Sequence, residues 1–193
     1  MKPYSISLFI SLQLCSLIVN CQFEAKIYRD IPTALKEKDS VFILNISKQK
    51  LNEIPEEVTE LTHLIKLIAN KNQISKIPIS IKNLEKLKHI ELSKNKFNEF
   101  PVELTQLKSL KTIIMNRNHI KNIPDEIENL NQLEKMDLWS NEINYISDNI
   151  SKLISLKELD LRVIMFSDKE KQRIAKLLPN CKIHFSNSCN CGY

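Results

Sequence analysis

The sequence predicts an α/β solenoid: about six stacked repeats, each adding one short strand to a parallel concave sheet, with helical end caps. Two observations carry this. Asn72, Asn95, Asn118 and Asn141 recur every 23 residues. The aliphatic residues step with them: Leu64, Leu87, Leu110, Leu133 and Leu156 open successive units. Leu67, Ile90, Ile113, Met136 and Leu159 follow three residues on, and Ala69, Leu92, Met115, Leu138 and Leu161 two beyond that. A fixed period of this length marks supersecondary units that bury their apolar faces against one another.

One unit shows why these residue types recur. In Leu87-Lys-His-Ile-Glu-Leu-Ser-Lys-Asn95, Ile90 and Leu92 alternate with His89 and Glu91, the period of a strand with one face buried. Asn95 ends that strand. An amide side chain donates and accepts at once, so it satisfies backbone groups that an interior turn leaves unpaired, and the stacked Asn residues are expected to form a ladder. The return leg reads Phe97, Phe100-Pro101, Leu104 and Leu107, matching Ile74, Ile77-Pro78, Ile81 and Leu84 one unit earlier. Proline holds the residue before it extended, which predicts an irregular or single-turn helical return in place of a long helix.

Units begin at Val41, Leu64, Leu87, Leu110, Leu133 and Leu156. The outer ones are degenerate, as expected of repeats that must pack against something else. Gln49 takes the Asn position of the first, keeping the amide on a longer stem. Ile164 takes it in the last, within Val163-Ile164-Met165, so the ladder is expected to stop there. The fifth unit has Ser147 in place of proline. Ahead of the repeats, Ile27, Ile31 and Leu35 share one helical stripe, predicting an amphipathic cap helix over Glu24 to Lys38, divided at Pro32, with that proline in the first turn of a helix through Leu35. After them, Ser167-Asp-Lys-Glu170 reads as a capping box for a helix that buries Ile174, Leu177 and Leu178 and stops at Pro179. Cys181, Ile183 and Phe185 then alternate with Lys182 and His184 as a last strand, its cysteine facing inward.

The expected organisation is a signal peptide at 1–21, an N-terminal cap at 22–40, repeats at 41–163, a C-terminal cap at 164–185 and a loose tail at 186–193. Lys2 precedes an apolar run from Ile6 to Val19, too short and too interrupted for a good membrane span, and apolar on all sides rather than on one stripe. Two cleavage readings stand. A cut before Gln22 releases a soluble protein. Alternatively, Ile18-Val19-Asn20-Cys21 resembles a lipoprotein box in which Cys21 is lipidated, the one route to the membrane, although Asn20 fits it poorly. The flanks favour simple secretion. Cys15 and Cys21 fall in the signal, leaving Cys181, Cys189 and Cys191, enough for one disulfide. Cys189 and Cys191 lack a second ligand cluster, so a tail that can pair with Cys181 outweighs a metal or redox site.

Composition excludes several functions. Of 193 residues, 28 are basic and 23 acidic, a net charge of +5, too mild to argue for nucleic acid without aromatic-interleaved basic segments. The single glycine, Gly192, rules out a Gly-rich phosphate loop, a dinucleotide fingerprint and a nucleophile elbow. His63, His89, His119 and His184 show no metal-ligand spacing. No catalytic residue, cofactor or metal is expected.

The units resemble the leucine-rich repeat family, in its 23-residue class with Ile-Pro in the return leg, as in Ras-suppressor-like, Scribble-like and many bacterial proteins. The resemblance spans roughly Val41 to Phe185. Leu156-Lys-Glu-Leu-Asp-Leu-Arg162 with Lys176-Leu-Leu-Pro-Asn-Cys-Lys-Ile-His-Phe185 resembles the end cap of exported bacterial members. It implies a horseshoe that binds proteins on its concave sheet and has no activity of its own. The ligase or kinase domains of some relatives have no counterpart in these 193 residues.

The strand residues pointing away from the core are Ile43 and Asn45, Lys66 and Ile68, His89 and Glu91, Thr112 and Ile114, Lys135 and Asp137, and Glu158 and Asp160. Strands stack about 4.8 Å apart, so each position forms a stripe, in which Ile68 and Ile114 read as exposed aliphatics. The next column, Lys48, Lys71, Lys94 and Arg117, then Ser140 and Val163, makes the N-terminal half basic against an acidic C-terminal half. Any one such charge is ordinarily just solvated; their ordering by column predicts binding. Trp139, the single tryptophan, stands where earlier units have Ser47, Asn70, Ser93 and Asn116 and the next has Arg162. It reads either as local packing, with Arg162 over the indole, or as a binding centre beside Asp137 and Asp160. The expected partner-binding set is Lys66, Ile68, Lys71, His89, Glu91, Lys94, Ile114, Arg117, Asp137, Trp139, Asp160 and Arg162. A monomer that binds a protein outside the cytoplasm is the first reading, and an envelope-tethered structural or adhesion protein the second.

Overall fold

The computed structural model describes residues 26–186. The signal segment, Cys15, Cys21 and the Cys189/Cys191 tail lie outside the described residues. Strand β1 (Ile27–Tyr28) and helix α1 (Ile31–Lys36) precede β2 (Ile43–Asn45), β3 (Lys66–Ile68), β4 (His89–Glu91) and β5 (Thr112–Ile114). Then come β6 (Asn122–Ile123), β7 (Lys135–Asp137), β8 (Tyr145–Ile146), β9 (Glu158–Leu161), α2 (Asp168–Leu177) and β10 (Lys182–Phe185). Eight of these strands form one sheet in the order β1-β2-β3-β4-β5-β7-β9-β10, and every pair is parallel. This is the solenoid that the period predicts.

The register makes each core position sit on its own copy. Leu44 pairs with Leu67, Leu67 with Ile90, Ile90 with Ile113, Ile113 with Met136 and Met136 with Leu159. All are buried, as are the column of Ile46, Ala69, Leu92, Met115, Leu138 and Leu161 and that of Val41, Leu64, Leu87, Leu110, Leu133 and Leu156. Each large aliphatic so enclosed contributes about 1.5–3 kcal/mol. The return legs close the other side with single 3₁₀ turns, Glu56–Glu60, Ile79–Asn83, Val102–Gln106, Asp125–Asn129 and Asp148–Lys152. Four of the five start directly after a proline; Ser147 starts the last, its hydroxyl accepting from Asn149 N. Just before these turns the extended backbone also pairs, β6 with β8 and Glu53 with Lys76. That second, small sheet has no signature in the side-chain pattern, because it is made of backbone alone.

The amide ladder is present. Asn95 Nδ2 donates to Leu92 O in its own unit and to Ala69 O one unit back, both at 3.0 Å, while its Oδ1 accepts from Ile74 N. Asn72, Asn118 and Asn141 repeat the arrangement. At the last position a buried Ile164 ends it. Gln49 turns aside and donates to Arg29 O at 2.7 Å, tying the first unit to the N-terminal cap.

The N-terminal cap departs from the expected helix in its first half, while the helix through Leu35 with Pro32 in its first turn is present. Helix α1 begins only at Ile31, with the Asp30 carboxylate accepting from Thr33 N and Pro32 in the first turn. Ile27–Tyr28 is instead a strand in register with Ile43–Leu44. The edge of β2 otherwise offers unpaired backbone groups, and Tyr28, buried in line with Leu44, takes the slot an earlier repeat would fill. Its hydroxyl donates to Glu37, which Lys26 also holds at 2.7 Å. At the other end Ser167 Oγ accepts from Glu170 N, but the Glu170 carboxylate binds Arg173 instead of completing the box. Arg173 also reaches Ile146 O and Asp148, locking α2 to the fifth unit. Strand β10 covers β9, and Phe166 and Phe185 meet edge to face at 6.3 Å. Cys181 lies just ahead of that strand, half-buried and packed against the core with Ile183 and Phe185; burial pushes its thiol up to about 11.

Candidate functional site

The sheet face places the predicted residues as alternation requires. Lys66, Ile68, His89, Glu91, Ile114 and Asp137 all point away from the core. Ile68 and Ile114 are half-buried, however, and not the open aliphatics expected. Much of the face is engaged in cross-strand pairs: Lys66 with Glu91 at 2.7 Å, and Lys135 with Glu158 at 2.9 Å. Below them Glu134 is held between Lys111 and Lys157. His89 is kept below the usual imidazole value by burial and by Lys66, Lys88 and Lys111, so it is neutral near pH 7.

The acidic half is less available than its composition suggests. Asp137 and Asp160 close the strand ends: each accepts the backbone N–H two residues on, from Trp139 and Arg162, at 3.0 Å. Asp137 also accepts from Asn116 Nδ2. Asp160, only 8% exposed, is gripped by the Arg162 guanidinium. Burial opposes its ionisation, yet Arg162 outweighs this and holds the carboxyl below its usual value. Arg162 is thereby unavailable to the indole. The cation over Trp139 is Arg117, one unit earlier, at 4.4 Å from the ring centre. Local packing of Trp139 is real, with a different arginine from the one expected.

The basic column has a property the sequence hid. Lys48, Lys71, Lys94, Arg117, Ser140 and Val163 all have positive φ, between 56 and 63°. For a residue with a Cβ that backbone costs of the order of 1–2 kcal/mol, and Gly or Asn is its usual occupant. The stack enforces it: Lys71 N donates to Ser93 O, Lys94 N to Asn116 O and Arg117 N to Trp139 O, at 2.8–2.9 Å. The side chains of Lys48, Lys71, Lys94 and Arg117 are thrown outward and exposed. No Gly or Asn marks these positions, so the turn has no signature in the sequence. Among the described residues no three His, Cys, Asp or Glu side chains gather as a metal site. No described helix is long and apolar enough to cross a membrane.

The leucine-rich repeat region family matches residues 70–183, more than half of the chain, and the protein belongs to the leucine-rich repeat family. No curated protein matches it significantly. A solved leucine-rich repeat protein of Leptospira interrogans is 26% identical with a TM-score of 0.63, covering 82% of this chain and 46% of its own. An internalin of Listeria monocytogenes is 23% identical, TM-score 0.63, over 83% of this chain and 45% of that one. The functional domain of InlJ from Listeria monocytogenes, which includes a cysteine ladder, is 25% identical with a TM-score of 0.55, over 69% and 28%. The chain thus spans less than half the length of each of these proteins. Family and neighbours are of a kind that typically serves protein interaction without catalysis.

Proposed function

We propose that this chain is a non-enzymatic module of the 23-residue Ile-Pro class, exported from the cytoplasm, that binds a protein partner across its concave face and the basic edge beside it. The observation carrying this reading is Trp139. Earlier units place Ser47, Asn70, Ser93 and Asn116 there, and Asn70 and Asn116 use their side chains to hold Glu91 and Asp137. The indole offers nothing to that row, is half-buried beneath Arg117, and pairs the two residue types that dominate binding centres. Lys66, Ile68, His89, Glu91, Ile114 and Asp137 extend the contact surface from it across the strands on its N-terminal side, Lys71, Lys94 and Arg117 form the rim, and Asp160 with Arg162 frames the turn. The internalin-like neighbours and the apolar run from Ile6 to Val19 support export.

The test is capture of partners from the native envelope, followed by measured affinity of the identified partner for wild type and Trp139→Ala. Affinity should fall at least tenfold while the melting temperature barely moves. Binding that is indifferent to Trp139→Ala moves the site elsewhere. Tethering through Cys21 is read separately, by fatty-acid labelling of wild type and Cys21→Ser.

A further inference from the structure

Four exposed cations, Lys48, Lys71, Lys94 and Arg117, stand in one row where the strands end. None of them makes an ion pair among the described residues, although rows on and before the strands pair freely: Lys66 with Glu91, Lys111 and Lys157 with Glu134, Lys135 with Glu158. The chain therefore has the means to neutralise a row of lysines and leaves this one open. Lys94 registers the repulsion, being held below its usual value first by Arg117, then by partial burial and Lys71. The row also keeps cations on a backbone that Gly or Asn would relax. Trp139, under Arg117, closes its C-terminal end.

We propose that this row docks an acidic helical segment of the partner protein, lying along the stack and across the strands. This rests on the protein-binding reading and names the chemistry of what is bound. Spacing selects the helix. Neighbouring strands are about 4.8 Å apart, so the row advances roughly 14 Å over three steps. Carboxylates on successive turns of an α-helix rise about 5.4 Å, roughly 16 Å over three turns. Same-side carboxylates of an extended strand rise about 6.6 Å, roughly 20 Å over three. Flexible lysine stems meet the first difference with smaller excursions than the second, so the helix fits the row with less rearrangement. An apolar residue one turn beyond the last acid reaches the half-buried Trp139.

The experiment uses the full chain and two fluorescein-labelled peptides of identical composition. One is a helix-former with Glu on every turn of one face; the other distributes the same Glu residues around the helix. Fluorescence anisotropy at low and at raised salt reads both. The one-faced peptide should bind at least tenfold tighter, and raised salt should weaken it. A Lys71→Glu, Lys94→Glu, Arg117→Glu chain should lose that preference, while Lys82→Glu, Lys152→Glu, Lys176→Glu, with the same charge change on other surfaces, should keep it. Circular dichroism checks the fold of both triples, and the peptide comparison on wild type stands without them. Equal binding of the two peptides, equal binding of a polyphosphate chain of matched charge, or equal loss in both triples overturns the proposal. If the native partner still depends on Trp139 in that case, the protein-binding reading stands and only the acidic helix is withdrawn.

Discussion

A side-chain amide does in this protein what a second backbone would otherwise have to do. Asn118 Nδ2 holds Leu92 O and Met115 O at 3.0 and 2.9 Å, and its Oδ1 accepts from Phe97 N. Truncation leaves three buried backbone groups without partners, each a desolvation penalty that the fold had avoided. Asn118→Ala should therefore destabilise by about 1–3 kcal/mol, the penalty for even one such group. Gln49→Ala, on an exposed residue with one cap contact, should cost less. Urea denaturation of the two variants measures both, and an unchanged midpoint for Asn118→Ala would take the ladder out of the stability account. Trp139 shows the opposite logic at the same scale. Arg117 and Arg162 are both one unit away, and which one covers the ring depends on the competing hold of Asp160.

The turn after each strand is the element under strain. Val163 is the extreme case: β-branched, at φ 59°, and 57% exposed. A branched Cβ is least compatible with that region, whereas Asn visits it readily. Val163→Asn should raise stability by roughly 1 kcal/mol, read as a higher melting temperature, without altering the fold. A lower value would mean that Val163 packs in a way its exposure conceals. Strand, amide and return-leg positions were legible in the sequence because each has copies 23 residues away that answer to the same neighbours. Tyr28 had no copy. Its role as a strand residue follows from β2 having an open edge, a fact of the assembled sheet and not of the local pattern. The positive φ of the basic column was hidden for a related reason: the stack sets it through Ser93 O, Asn116 O and Trp139 O, while the residues themselves argue for something else. Of the candidate surface, the columns were legible, and their cross-strand pairing was not.

Across the whole molecule, cross-strand charge sets the response to acid. Lys157 at 2.6 Å and Lys111 at 2.9 Å hold Glu134 down to about 2, and Lys135 keeps Glu158 low in the same way. Unfolded, both return to the ordinary 4.5. The folded state thus binds fewer protons, so their contribution is complete above about pH 5 and is lost as pH falls from there through about 2. The urea midpoint should drop over that window, and Glu134→Gln should lower it at pH 7 while flattening the slope. An identical slope in the variant would remove this clamp from the explanation. The ladder, finally, has a direction. Each amide reaches back: Asn141 completes the turn of the unit before it, through Met115 O and Ile120 N, and nothing equivalent comes from Ile164. Pulled by its two ends in an optical trap, the chain should come apart from the C-terminal side, one unit per event. Each release of 23 residues should lengthen the tether by roughly 75 Å, at about 3.3 Å per residue. A staircase of such steps would make the molecule a ratchet under load; a single rupture would mean that the units let go together.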